Sequence, residues 1–319
     1  MNKLNWIKKG QIFNLDNVRN QKWMNEQAQN PFAIDVDNKK FRVYFNTRPV
    51  LDNNGKNTSY PAFVEFDKLN FNILRVSSEP LLDHGSKGTF DEFGVMCGSV
   101  IKIKELYHMY YVGWTRLISV PYNWAIGLAT SIDGVSFDRY SKGPILGASH
   151  NEPFLQAGCS SVIIENGIYT LFYTSGIKWI ENNGKFESVY QIMCATSEDG
   201  LYWHRNGLQI IEEVISNEAQ ASPSVMYFNN RWNMVFSFRH STDFRNGLRG
   251  YRLGYAWSID LKNWNRDDSY LNLGLSDNGW DSEMICYPQF FKIGDKINII
   301  YCGNDFGKAG FGIAELIQK

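Results

Sequence analysis

Apolar and polar positions alternate along almost the whole of this chain, in runs too short and too regular in period two for helix. "MYYVGWTR", "YTLFYTSG", "NMVFSFR" and "IGLATS" are rich in Val, Ile, Tyr, Phe and Trp and predict strands, and no long stretch of period 3.6 is visible. One phrase returns. "ATSIDGVSFDRY" at residues 129–140 is echoed by "ATSEDGLYWHRN" at 195–206 and "AWSIDLKNWNRD" at 256–267. Asp-Gly between two β-type runs predicts a tight hairpin, because both residues accept the positive φ such a turn demands. Stripped to an aromatic, a spacer and a basic residue, the phrase also appears as "NWIKK" at Trp6 and "FNILR" at Phe71, with copies 61 to 66 residues apart. A second beat places an aromatic at Phe45, Tyr111, Tyr173, Phe236 and Tyr301, 62 to 66 residues apart.

That period is too long for a solenoid and suits a four-stranded sheet with generous loops. Each unit reads as an inner strand ("SSVII", "PSVMYF"), a second ("YTLFYTSG"), a third ("LGYAWS") and a fourth that carries the aromatic–basic pair. Five such sheets around an axis make an all-β, five-bladed β-propeller of four-stranded antiparallel blades. "NWIKK" is a fourth strand with nothing before it, and the last unit stops at a third strand, "FGIAELIQK". The N-terminal strand is therefore expected to close the last blade and remove its free edge. One domain spanning residues 1–319 is expected.

Composition narrows the function. Hydrophobic content of 44% with 15% aromatics marks a globular chain. A net charge of −1 gives no bulk attraction to nucleic acid or an anionic membrane. No apolar run is long enough to cross a bilayer, and "MNKLNWIKKGQIFN" has no apolar signal region. The cysteines (Cys97, Cys159, Cys194, Cys286, Cys302) are odd in number and lack CxxC spacing, which predicts buried thiols and a cytoplasmic, reducing location. The histidines show no ligand spacing, so no metal site is expected. No nucleophile elbow, phosphate loop or dinucleotide fingerprint is present, and no cofactor is expected.

In a propeller, residues just before each inner strand and just after each second strand meet at one end of the axis. Each of the five positions before an inner strand holds a carboxylate: Glu26, Asp91 (or Glu92), Glu152, Glu218, and Asp281 with Glu283. After the second strands come Arg48, Trp114 with Arg116, Arg239 and Asn304. Carboxylates and asparagine exchange hydrogen bonds with hydroxyls, tryptophan stacks on a sugar ring, and arginines hold anions, so this funnel suits a glycan. Each acid also admits a structural role, capping a loop or pairing with a nearby arginine. Trp114 and Trp280 equally suit packing between blades.

The blade phrase, "GTFDEFGVMCGSVIKI", "HNEPF", and "GWDSEMICYPQFF" followed by "YCGNDFGKAGFGIA" resemble the five-bladed propeller glycosidase superfamily of arabinanases, xylosidases, invertases and mannoside phosphorylases. The resemblance covers essentially the full chain and is nearest to bacterial glycosylases of unassigned substrate. It implies cleavage of a glycosidic bond by carboxylates from different blades, one an acid and another a base or nucleophile. By position it makes Asp91 the second-blade acid and Glu152 the proton donor. In the first blade, superfamily enzymes carry Asp-Pro where this chain has Asn30-Pro31. "WMNE" echoes the invertase "WMND" and puts Glu26 in the nucleophile slot; Glu283 or Asp281 are the other candidates for the base. The catalytic set is thus Asp91, Glu152 and Glu283, with Glu26, Arg48, Trp114, Arg116, Glu218, Arg239, Asp281 and Asn304 binding an oligosaccharide or glycoside. Three functions follow: hydrolysis or transfer of a glycosyl group, phosphorolysis with phosphate in place of water, or sugar recognition without catalysis.

Overall fold

A computed structural model describes residues 3–18, 21–245 and 247–317. It contains five four-stranded antiparallel sheets arranged as the blades of a propeller. Blade I is Glu26–Asp35, Lys40–Arg48, Tyr60–Asp67 and Ile73–Val76. Blade II is Gly94–Ile103, Leu106–Arg116, Tyr122–Ser131 and Asp138–Arg139. Blade III is Gln156–Glu165, Ile168–Asn182, Lys185–Ser197 and His204–Arg205. Blade IV is Ala219–Phe228, Arg231–Arg239, Arg252–Ser258 and Asn265–Arg266. Blade V is Cys286–Ile293, Lys296–Cys302, Phe311–Leu316 and, as its outer strand, the N-terminal Trp6–Phe13. Trp6 lies opposite Leu316 and Phe13 opposite Phe311, so the first strand closes the last blade as expected.

The repeated phrase builds the turn between third and outer strands. Ser131, Ser197 and Ser258 each donate from Oγ to Oδ1 of the aspartate two residues on, at 2.8–2.9 Å. The same oxygen of Asp133, Asp199 and Asp260 accepts two following backbone amides at 2.8–3.0 Å. Glycine follows the aspartate in two copies because the backbone there is left-handed, with φ of 68° at Gly134 and 75° at Gly200. The third copy keeps that conformation with Leu261, at φ 61°. The first two turns also dock on the blade before them. The Gly134 carbonyl accepts from Tyr44 Oη at 2.8 Å and Arg42 Nη1 at 2.7 Å, and the Gly200 carbonyl accepts from Tyr110 Oη at 3.3 Å.

The hydrophobic core lies between blades, which is why both faces of the middle strands are apolar. Tyr111, Met109 and Val95 pack towards blade I against Tyr44 and Phe63, whereas Tyr110 and Val112 pack towards blade III against Leu171 and Tyr173. Cys97, Cys286 and Cys302 are buried thiols; the Cys159 side chain lies outside the described residues. Among the described residues no helix is long and apolar enough to cross a membrane. At the axis every inner strand shifts register in mid-course. The backbone there is left-handed at Asn30 (φ 48°), Gly158 (55°), Ser222 (51°) and Tyr287 (54°). These bulges leave an axial cavity of ≈ 10 Å³, room for about one water, lined by Asn30, Pro31, Phe32, Gly98, Ser222, Tyr287, Pro288 and Gln289.

Candidate functional site

Four of the carboxylates that precede inner strands point into their own blades. Asp91 is 1% exposed and accepts from Tyr111 Oη at 3.0 Å, Arg139 Nε at 2.7 Å and Thr89 Oγ1 at 2.8 Å. Tyr111 reaches it because its ring lies across Gly127 of the third strand, where a Cβ would stand 2.4 Å from the ring carbon Cζ. Glu152, 2% exposed, accepts from Tyr173 Oη at 2.8 and 2.9 Å, Ser175 Oγ at 2.8 Å and Arg205 Nη1 at 3.3 Å. Asp281 accepts from Tyr301 Oη at 2.9 Å and Lys8 Nζ at 2.7 Å. In blade IV the aromatic is Phe236, which has no hydroxyl; Glu218 accepts instead from Gln220 Nε2 at 2.9 Å, alongside Arg266 Nη1 at 2.6 Å. Burial first, and then the adjacent carboxylate, pushes the phenols of Tyr111, Tyr173 and Tyr301 above the usual tyrosine range.

The two sequence beats therefore meet on one acid. In blades II, III and V the second-strand tyrosine and the outer-strand cation clamp a buried carboxylate and so tie the start of the blade to its last strand. Both oxygens of Asp91 and of Glu152 accept hydrogen bonds from side chains of their own blade. Blade I has no such tie: its aromatic is Phe45, and Glu26 is exposed.

Three further predicted residues also hold the frame. Trp114 lies flat on Gly94 and donates from Nε1 to Ser59 Oγ at 3.0 Å, joining blades I and II. Arg116 stacks over Phe93 at 4.2 Å, pairs with Asp52 at 2.7 Å and donates to the Asn57 carbonyl at 2.9 Å. Asn304 accepts the amides of Glu283 and Met284 at 2.9 and 3.0 Å and donates to the Gly279 carbonyl at 3.0 Å. Trp280 stacks on Tyr301 at 5.2 Å, inside blade V.

Arg48, Arg239 and Glu26 occupy different surroundings. Arg48 ends the second strand of blade I, in register with Glu26. Its buried Nε has no hydrogen-bond partner among the described residues. Burial pulls its pKa down, opposed by Tyr287, Glu26 and Tyr122 nearby. Arg239 is 3% exposed. It donates to the His240 carbonyl at 2.8 Å and to Tyr190 Oη at 2.9 Å, while its Nε is unpartnered. Burial alone would lower its pKa, but the oxygens of Tyr190 and Tyr251 outweigh that and raise it, so the group stays cationic. Neither arginine forms an ion pair among the described residues. Arg48 is half-buried and Arg239 buried, and both act on Tyr122, so two guanidinium groups approach one tyrosine; a cation withdrawn from water favours an anionic partner.

Tyrosines complete the ring. The hydroxyls of Tyr190 and Tyr251 bond to each other, and the Tyr251 ring lies 5.4 Å from that of Tyr287. Tyr122 shares a hydrogen bond of 3.0 Å with Ser188 Oγ and stacks on Trp124 at 4.5 Å; burial pushes its phenol up to about 12. Blades II, III, IV and V thus each bring a tyrosine to the mouth. Sequence reasoning missed Tyr122, Tyr190 and Tyr251 because it looked before first strands and after second ones. Third strands also begin at this end, and "PYNW", "SVYQ" and "GYRL" stand there. The carboxylates still open are Glu26 and Glu283, both exposed, in the adjoining blades I and V. Among the described residues no cluster of three or more His, Cys, Asp or Glu could hold a metal.

The model of the family described as Glycosyl hydrolases family 32 N-terminal domain matches residues 97–309. An uncharacterized protein of Mycobacterium tuberculosis (strain ATCC 25618 / H37Rv) is 31% identical over 98% of this chain and 99% of its own. A 1,2-beta-oligomannan phosphorylase of Thermoanaerobacter sp. (strain X514) is 25% identical over 60% of this chain and 58% of its own. Among solved structures, a glycoside hydrolase superposes with a TM-score of 0.72 at 15% identity, covering 99% of this chain and 93% of that one. The beta-1,2-mannobiose phosphorylase from Listeria innocua does so with a TM-score of 0.67 at 13% identity, covering 98% and 96%. At those identities the two structures share the fold.

Proposed function

The chain belongs to the Glycosyl hydrolases family 32 N-terminal domain family, whose members act on glycosyl bonds, and we propose that it breaks such a bond at the axial mouth by phosphorolysis. One observation supports the choice of nucleophile: Arg48 and Arg239 form no ion pair among the described residues, and the one carboxylate acting on Arg48, Glu26, is exposed to solvent. Inorganic phosphate would supply the missing negative charge, its oxygens held by the guanidinium groups and by tyrosine hydroxyls. A phosphate oxygen forms the new bond to C1 as the C1–O bond to the leaving sugar breaks. The leaving oxygen takes a proton from a carboxyl group, and phosphate returns a proton to that carboxylate, so the products are a sugar phosphate and a free hydroxyl. Glu283, whose carboxyl has no bonded partner among the described residues, is the proposed donor. Phosphorolysis needs no base to activate water, which accords with Asn30 standing where an aspartate would serve that role. Asn30 instead occupies a left-handed bulge that suits asparagine.

Hydrolysis is the second reading, supported by a different observation. Glu26 and Glu283 are both exposed in neighbouring blades, as a two-carboxylate mechanism requires. The test separates the two. Beta-1,2-oligomannan, suggested by the named activity of the Thermoanaerobacter relative, is incubated with and without phosphate beside a panel of other glycans. Phosphate-dependent sugar phosphate supports phosphorolysis; free sugar formed equally without phosphate overturns it. Independently of substrate, saturating phosphate is expected to raise the unfolding midpoint by a few degrees, through about 1–3 kcal/mol of linked stability. Arg48→Ala is expected to lose that gain.

A further inference from the structure

The second and third strands of blade III are unusually long, at 15 and 13 residues. Beyond a register shift between Gly176 and Lys178, their pairing runs on from Lys178 with Val189 to Asn182 with Lys185. The tip is an Asn-Gly turn with φ of 52° at Asn183 and 72° at Gly184, a geometry that holds a hairpin rigid. The two faces of this wall are engaged differently. Trp179 and its partner Ser188 meet Tyr122, the former edge-on at 5.2 Å. On the blade IV side, Arg245 grips Glu187 at 2.5 and 3.2 Å. Asn182 Nδ2 stands 3.4 Å from Asp243 Oδ1.

Between wall and loop lies an open groove of ≈ 500 Å³, lined by Asn182, Asn183, Lys185, Glu187, Asp243 and Arg245. That volume is within the range of about 300–1,000 Å³ usual for small-molecule sites. The lining has two cations and two anions, so it exerts no net pull on an ion, and its amides both donate and accept. Hydroxyl groups match this chemistry. The groove also adjoins the mouth: Arg239 Cζ lies 3.6 Å and Arg245 Cζ 4.4 Å from the centroid of the same ring, Phe244. We propose that this groove is a subsite for neutral sugar units of an oligosaccharide whose reacting bond sits at the mouth, an inference that rests on the glycosyl chemistry placed there. An anionic acceptor is directed to the mouth, and uncharged sugar rings extend along the wall.

The test is binding, not turnover. A panel of neutral trisaccharides, beta-1,2-mannotriose and arabinotriose among them, is titrated by saturation-transfer NMR into the wild type and into Asn182→Ala, Lys185→Ala and Asp243→Ala, with unfolding midpoints measured alongside. At least one trisaccharide is expected to bind, with affinity falling about three- to tenfold per lost hydrogen bond in variants whose unfolding midpoints are unchanged. Panel sugars that bind the variants as tightly as the wild type, or bind neither, overturn the subsite. Stabilisation by inorganic phosphate is read in parallel on the wild type and Arg48→Ala. Its absence counts against phosphorolysis at the mouth and leaves the groove result standing.

Discussion

Asp91 shows how the residue type that suits chemistry also suits the frame of a blade. An acid before an inner strand, a tyrosine on the second strand and a cation on the outer strand are three separate features in the sequence. In space they are one contact, repeated at Asp91, Glu152 and Asp281 with Tyr111, Tyr173 and Tyr301. Removing a buried charge from such a contact leaves its partner uncompensated, at a cost of about 3–5 kcal/mol. Asp91→Asn and Glu152→Gln should therefore lower the denaturation midpoint while the folded enzyme keeps its kcat within about an order of magnitude. Loss of kcat by about three orders or more with the midpoint unchanged would place these acids in the catalytic centre. Tyr111→Phe, which takes only the hydroxyl from Asp91, should cost about 1–3 kcal/mol. Denaturant titration and steady-state kinetics on the same preparations decide the matter.

At the scale of the hairpin, the Ser-x-Asp turn carries its own acid sensitivity. Amides of Tyr202 and Leu201 lower the Asp199 carboxyl below the ordinary aspartate value, and the amide and side chain of Asn263 do the same for Asp260. A carboxyl whose folded pKa is depressed stabilises the fold above its unfolded pKa of about 3.9, and that contribution fades as pH falls through the folded value. Stability from these turns should be constant at neutral pH and decline from about pH 4 downward. Asp199→Asn and Asp260→Asn should each flatten the decline from about pH 4 to about pH 2 in urea titrations; an unchanged acid limb would refute the linkage. The turn was legible because Asp-Gly and its flanking alternation are local signals. The wall of blade III was legible in part: Asn183-Gly184 is itself a hairpin signal, but a second strand read as ending at "TLFYTSG" stops short of it. The tie was not, because only the strand order brings Asp91 and Arg139, separated by 48 residues, to the same point.

The whole molecule depends on a contact between its ends. Blade number and closure could be read from the period, since a fourth strand at the start and a third strand at the end leave one arrangement without free edges. The mouth could not, because its tyrosines come from four blades and share no motif; only the ring of sheets makes them neighbours. Closure has measurable consequences. The strand Trp6–Phe13 fills the edge of blade V, Trp6 Nε1 donates to the Leu271 carbonyl at 2.9 Å, and Lys8 is the cation bound to Asp281. Deleting residues 1–13 removes all three at once and bares an edge strand, so the truncated chain should lose cooperative unfolding or aggregate. The strand works by position and not by coming first in the chain. A circular permutant that joins the paired ends through a short linker and opens at the exposed Asn166–Gly167 turn should keep a cooperative transition within a few degrees of the parent. Calorimetry of the two variants tests both halves of the argument. A truncation that melts like the parent would show that the ring holds without its clasp, and a permutant that fails to fold would show that chain order, and not the closed sheet, carries the stability.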